Sequence, residues 1–354
     1  MFGNYVADPD FYDEMLDAEG ELRPQWRQFC RLIDRLGLKE FSRRWELAET
    51  QLYENGMAYG VPGEESDGEG PRPWDLDALP LLIPASEWEA VSQALVQRAQ
   101  LLNLVLSDLF GPQQLLTRGL LPQELLFAHP GARHPYHGLL PPNGRYLHFY
   151  AADLARSPEG AWWVLSDRTE TPSGMGHVLE NRIVLSRMLP DVFHSCQIER
   201  LAPYFIALRE VLAGLSAGHR ENPRIVLLSP GPGKPSYFED AYLARYLGYI
   251  LVQGSDLAVR NKRVLLKTLG GLLPVDVILR RTNSGSCDPL ELDETGMGGP
   301  AGLLQAIRAG EVAVANSLGT GLVESPVFQS FMPRLCEHLL GEPLKLPNVA
   351  TWWC

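Results

Sequence analysis

The sequence predicts an α/β fold with a mostly parallel sheet, and two patterns carry that prediction. Residues 224–229 (RIVLLS) and 249–254 (YILVQG) are short apolar runs separated by a helical stretch, 237–248, that closes on glycine. Strand, helix, strand at that spacing is a βαβ unit, whose crossover requires parallel pairing. Residues 275–281 (VDVILRR), 299–310 and 311–317 then read as a further strand, helix and strand. The 354 residues are 45% hydrophobic, enough for a large core divided into domains of roughly 100 to 200 residues.

Residues 23–36 set Trp26, Phe29, Cys30, Ile33 and Leu36 on one helical face and arginines on the other, an amphipathic helix against a larger body. Residues 60–73 (GVPGEESDGEGPRP) are acidic and rich in glycine and proline, which predicts an exposed loop. Ser86 and Glu89 form a capping-box pattern ahead of a long helix on which Trp88, Val91, Leu95, Leu102, Val105 and Leu109 recur, up to Gly111-Pro112. His129, His134 and His137 lie in a tract rich in proline and glycine without a nearby cysteine or acid, a poor metal set. Residues 184–218 read as helical. Three domains follow: 1–75, a helical segment with the acidic loop; 76–220; and 221–354, the α/β part.

The net charge of −12 lacks the basic balance that phosphate-backbone binding requires, so nucleic acid is not an expected partner. No apolar run reaches the roughly 20 residues that span a bilayer, and the N-terminus has no signal-peptide pattern, so a cytoplasmic protein away from membranes is expected. Five scattered cysteines without a CxxC pair suggest reduced thiols.

Chemistry concentrates in residues 153–182. The turn at 157–160 precedes the apolar run 161–165, so Asp153 and Arg156 fall on one strand of a hairpin, with Asp167 and Arg168 at the end of its partner. Carboxylates beside arginines at a strand end suit Mg²⁺ and phosphate, and equally suit an ion-paired surface hairpin. The loop 229–236 (SPGPGKPS) lies between strand and helix, where Lys234 and backbone amides could cradle a phosphate; Pro232 and Pro235 each remove a donor, and the alternative is a plain βα turn. Arg280 and Arg281 alternate across the sheet, so one of them can clamp an anion, unless Asp276 or Asp288 pairs with them. His177 is the only histidine within the 153–182 stretch.

Taken together, residues 72–91, 97–111, 153–182, 236–248, 254–268, 275–281, 287–292 and the terminal LPNVATWWC resemble the circularly permuted ATP-grasp ligases related to glutathionylspermidine synthase, in particular the bacterial branch often fused to an α-helical alpha-E domain. The resemblance implies a permuted ATP-grasp portion beside a Rossmann-like pre-ATP-grasp domain. It implies an activity in which ATP activates a carboxylate for attack by an amine, with ATP and Mg²⁺ as cofactors and an acid and an amine as substrates. Carried over by residue, Asp153 and Asp167 would hold Mg²⁺, and Arg156, Arg168 and Arg182 would meet phosphate or carboxylate. Ser173 and Gly174, in TPSG, would lie beside the acyl substrate, with Lys234, Arg280 and Arg281 as further substrate contacts. Typical members carry Glu-Asp-Asn where this chain has Ser166, Asp167 and Arg168, and Asn and His where it has Lys234 and Asp240. Members also continue beyond the TWWC segment, which implies that an alpha-E-type domain or a segment after Cys354 completes the nucleotide side. The other reading, favoured by Ser166 and Arg168, is a non-catalytic peptide-binding or scaffold protein on the same fold.

Overall fold

A computed structural model describes residues 5–59, 72–129, 131, 133–216, 221–293 and 295–353. Helix α1 (Pro24–Leu36) begins with proline in its first turn, where the missing N–H costs nothing, and buries Trp26, Phe29, Cys30 and Ile33 as its periodicity predicts. Gly37, at φ 77°, turns the chain directly into α2 (Leu38–Glu54). Strand β1 (Ala58–Tyr59) pairs antiparallel with β2 (Arg72–Pro73), so the predicted acidic loop ends on a strand; residues 60–71 lie outside the described residues.

Helix α3 (Ala85–Leu109) buries Val91, Ala94, Leu101, Leu102, Val105, Leu106 and Leu109. The expected capping box does not form. The helix starts two residues earlier with Pro84 as its uncapped N-cap, which places Ser86 inside the first turn; Trp88, one turn before the buried stripe, is exposed. Two single turns follow, α4 (Gln114–Thr117) and α5 (Glu124–Phe127). The Asp108 carboxylate accepts the Gln114 and Leu115 amides at 2.9 and 2.8 Å and so caps α4 from the end of α3.

Strands β3 (Ala151–Arg156) and β4 (Trp162–Arg168) form the predicted antiparallel hairpin, turning through residues 157–160. A bulge between Asp153 and Leu154 shifts the register, so that Asp153 stands opposite Ser166 and Asp167 opposite Ala152. The segment around Asn348 runs beside β4: the Val164 amide donates to the Pro347 carbonyl and the Val349 amide to the Val164 carbonyl. Helices α6 (Met175–Met188), α7 (Pro190–Ser195) and α8 (Ala202–Gly214) follow.

The parallel sheet has the order β11-β10-β5-β6, with β5 (Ile225–Leu228), β6 (Ile250–Val252), β10 (Val277–Arg280) and β11 (Ala313–Ala315) all parallel. Val226, Leu227, Leu228, Val277 and Ile278 are completely buried, which explains why these strands read as unbroken apolar runs. Helix α9 (Tyr237–Leu247) links β5 to β6, closing on Gly248 at φ 75°. Strands β7 (Leu257–Arg260) and β8 (Arg263–Thr268) turn at Asn261 and Lys262, both at positive φ, as a two-residue type I′ connection needs, and β9 (Gly271–Pro274) adds a third strand. Helix α10 (Leu303–Arg308) leads to β11, and α11 (Met332–Leu340) packs on α3. The hydrophobic clusters join residues from both sides of positions 75 and 220: α2 packs on α6, α1 packs on α7, and α8 packs on β10. Cys30, Cys287 and Cys336 are buried and Cys196 half-buried, all as free thiols.

Candidate functional site

The carboxyl ends of β5 and β10 open into a cleft of about 690 Å³, within the range of small-molecule sites and at the place where open α/β sheets bind ligands. Three loops wall it. Residues 171–174 contribute Thr171 and Ser173, the β5–α9 loop contributes Lys234 and Ser236, and the turn after β10 contributes Arg281, Thr282, Asn283 and Ser286. Residues 295–298 close the fourth side; a Cβ on Gly298 would lie 2.5 Å from Thr282 Oγ1, so glycine is what lets this loop sit against the hydroxyls.

Buried ion pairs hold the walls. Arg281 donates from Nε to Asp240 at 2.9 Å, from a terminal nitrogen to Glu239 at 2.8 Å, and from the other to the Pro172 carbonyl. Glu239 in turn accepts the Gly174 and Gly176 amides at 2.7 and 3.0 Å, capping α6 with a carboxylate from α9. Arg280 directs its donors to the carbonyls of Asn316, Thr282, Glu170 and Ser317, and the Glu170 carboxylate accepts the Ser284 amide at 2.7 Å. Glu324 takes the Thr169 and Glu170 amides at 2.5 and 2.7 Å. Burial pushes the Asp240 carboxyl above the usual carboxylate range, against the pull of Arg281 and Ser229, and burial pushes the His177 imidazole below its ordinary value. Asp276 and Asp288 serve backbone amides instead of the paired arginines: Asp276 accepts Arg224 N, and Asp288 accepts the amides of Leu290, Gly302 and Leu304.

Of the residues expected at the site, Ser173, Lys234 and Arg281 line the cleft, and Gly174 is the N-cap of α6 at φ 104°. Arg280, completely buried, stands behind it. The others lie elsewhere. The hairpin's alternation puts Asp153, Ser166 and Arg168 on one face and Asp167 on the opposite one. Asp153 accepts from Ser166 Oγ and from Arg168 at 2.8 and 3.1 Å; the Ser166 hydrogen bond, together with Arg168, holds its pKa below the usual range despite partial burial. Asp167 is buried against α3, both oxygens at 2.7 Å from Arg98, with the Tyr150 hydroxyl donating to Oδ1. Arg156 sits between the rings of Tyr12 and Trp162 and pairs with Glu14 and Glu87, fastening the hairpin to the N-terminal segment and α3. Arg182 is half-buried over Phe193, and burial lowers its pKa.

Among the described residues, magnesium therefore has no fitting ligand set. Asp153 and Asp167 are separated by the sheet and each is taken up by an arginine, and among the described residues no group of three or more acidic, histidine or cysteine side chains could hold a metal. The 171–174 loop, Lys234 and the paired arginines were legible in the sequence; Thr282, Ser286 and the 295–298 loop were not. The run of small and hydroxyl residues after the arginines was the available signal.

This arrangement defines an α/β protein with a parallel sheet and a hydroxyl-lined cleft at the carboxyl edge of that sheet. Comparison gives the family: the chain belongs to the circularly permuted ATP-grasp type 2 family, whose model matches residues 80–354. An uncharacterised protein of Mycobacterium tuberculosis is 37% identical over 348 residues, covering 97% of this chain and 39% of its own length. An uncharacterised protein of Synechocystis is 34% identical, covering 98% of this chain and 71% of its own length, and one of Mycobacterium leprae is 32% identical over the whole chain and 63% of its own length. The chain thus spans about two fifths of the length of the Mycobacterium tuberculosis relative. Among solved structures, an apo glutathione synthetase-like effector of Globodera pallida superposes with a TM-score of 0.53 at 14% identity, over 85% of this chain and 67% of that one; it shares the fold.

Proposed function

We propose that this chain supplies the acid-binding side of an ATP-dependent ligase that joins a carboxylate to an amine. One observation supports the reading above the rest: in an ATP-grasp chain, the 171–174 loop and the β5–α9 loop line one cleft at the carboxyl ends of the parallel strands. When bound, ATP would supply the phosphoryl group that activates the carboxylate. The chain's own part is to hold the acid with the hydroxyls of Ser173, Thr282 and Ser286, and to keep the walls fixed through Arg281 and Arg280, so that the carboxylate meets a preorganised set of donors. Mg²⁺ is assigned no ligand among Asp153 and Asp167. The substrates are small or peptide acids and amines forming an amide or peptide bond, with an alpha-E-type helical domain as partner and the cytoplasm as the place of action. No helix of the described residues is long and apolar enough to cross a membrane.

The test is ADP release by the full-length natural protein from ATP, supplied with pooled amino acids and short peptides. ADP formation that requires both an acid and an amine, and that falls at least tenfold in Ser173→Ala, is the expected result. A second reading, a non-catalytic binding protein, is favoured by Arg168 lying on the Asp153 carboxylate. No ADP with any acceptor, alongside retained binding of acids, would select it.

A further inference from the structure

Among the described residues, Lys234 is the one side chain lining the cleft whose charge is left uncompensated. It is exposed and lines the cleft, and among the described residues no carboxylate pairs with it and no acidic residue lines the cleft. Arg281, the other cation there, is 3% exposed and is held by Glu239, Asp240 and the Pro172 carbonyl. The remaining polar lining consists of neutral hydroxyls and amides, which bond to ligand groups of either polarity without compensating a charge. Among the described residues the lining contains no aromatic ring on which a nucleobase could stack, and Met297 is its only large apolar side chain.

We propose that Lys234 is a specificity-determining residue, selecting acids that carry an anionic group in addition to the carboxylate that reacts. The inference deepens the ligase reading and rests on it in one respect, that the bound molecule is the acid substrate. Two positions follow from the two walls. A carboxylate awaiting activation lies at the 171–174 loop, where it meets the hydroxyls of Thr171 and Ser173 and an Arg281 whose charge Glu239 and Asp240 already neutralise, so its oxygen stays nucleophilic. The ammonium on the β5–α9 loop pairs with a second acidic group at the far end of the molecule. An unneutralised cation bound on the reacting carboxylate would lower its nucleophilicity, so a lysine on a separate loop is the arrangement that binds an acid without quenching it. Lysine suits this role, because its ammonium is a compact point charge on a flexible stem, able to follow an acidic group among ligands of different length.

Calorimetric titration of the chain with the dipeptides Glu-Glu and Gln-Gln, in the absence of ATP, tests the proposal. The two differ in side-chain charge and scarcely in size. A charge-assisted contact predicts that Glu-Glu binds about tenfold or more tightly than Gln-Gln, and that added salt narrows the gap. Lys234→Ala should bring Glu-Glu down to the affinity of Gln-Gln, which itself stays unchanged, and Lys234→Arg should retain the preference. Because Lys234 is exposed and makes no side-chain hydrogen bond within the fold, these variants should melt with the wild type. Equal affinities in the wild type, no binding of either dipeptide, or a preference that survives in Lys234→Ala would overturn it. Displacement of Glu-Glu by ATP that is lost in Lys234→Ala would also overturn it, by reassigning the ammonium to a nucleotide phosphate. The preference without any ADP formation would sink the ligase reading and leave the selectivity; ADP formation indifferent to Lys234 would do the reverse.

Discussion

Replacing Asp167 by alanine should destabilise the protein strongly and leave its behaviour toward Mg²⁺ unchanged. Arg98 is completely buried and Asp167 4% exposed, and the two are joined by two parallel hydrogen bonds of 2.7 Å. Arg98 also donates to Asn348 at 3.0 Å, so one guanidinium ties α3 to the hairpin and to the segment beside β4. Burial works against the charged guanidinium, yet Asp167 raises its pKa above the ordinary value. The Tyr150 phenol, pushed up by burial and then by Asp167, stays protonated as a donor. Removing the carboxylate strands that cation in the interior, which costs about 3–5 kcal/mol, or roughly two to four orders of magnitude in the unfolding equilibrium. Tyr150→Phe removes a single hydrogen bond to a charged group and should cost about 1.5–3 kcal/mol. The double change Arg98→Met with Asp167→Leu should cost much less than the sum of the two single changes, because no charge is left unpaired. Urea unfolding followed by fluorescence measures all of these variants. A loss below about 1 kcal/mol in Asp167→Ala would refute the buried-pair account. So would a rise in melting temperature with Mg²⁺ in the wild type that disappears in the variant, since that would make Asp167 a metal ligand.

Two further outcomes follow from the same geometry. Arg281→Met leaves Glu239 and Asp240 buried without their cation and frees the Pro172 carbonyl, so it should lose about 3–5 kcal/mol of stability and make the 171–174 amides exchange faster with solvent; hydrogen exchange confined to the rest of the chain would refute the tether. His148 titrates at about 4 in the folded protein, driven down mainly by burial and also by Arg145, against 6.5 unfolded. Its neutral form is favoured by folding, so its contribution is complete above pH 6.5 and is lost as pH falls from there to about 4. The loss amounts to about 3 kcal/mol, and His148→Gln should flatten the pH dependence of urea stability across that interval; parallel curves for the two proteins would refute it.

The parallel strands were legible because burial on both faces leaves a continuous apolar run. The hairpin's two faces were half legible: strand alternation alone sets Asp167 against Ser166 and Arg168. What it cannot supply is the bulge that places Asp153 opposite Ser166, or Arg98, 69 residues upstream, as the partner waiting on the other side. The same gap explains Glu239. Its place in the first turn of α9 was visible, but its service as a cap for α6, whose N-terminus lies 63 to 65 residues earlier, depends on how two helices dock.

Arginines mark the limit most clearly. Five of them, at 156, 168, 182, 280 and 281, carry the residue type and the neighbourhood that phosphate binding needs, and spacing alone cannot tell a clamp from a strut. Accounting for donors can. Arg280 and Arg281 direct their bonds at carbonyls and carboxylates of the fold, Arg156 is held by two acids and two rings, Arg168 lies on Asp153, and Arg182 lies over Phe193 with burial lowering its pKa. A guanidinium already satisfied by its own chain gains little from a ligand anion, since each new bond must replace an existing one. Lys234, reached by neither carboxylate nor ring among the described residues, has no such bond to give up, and it is there that an incoming charge gains most.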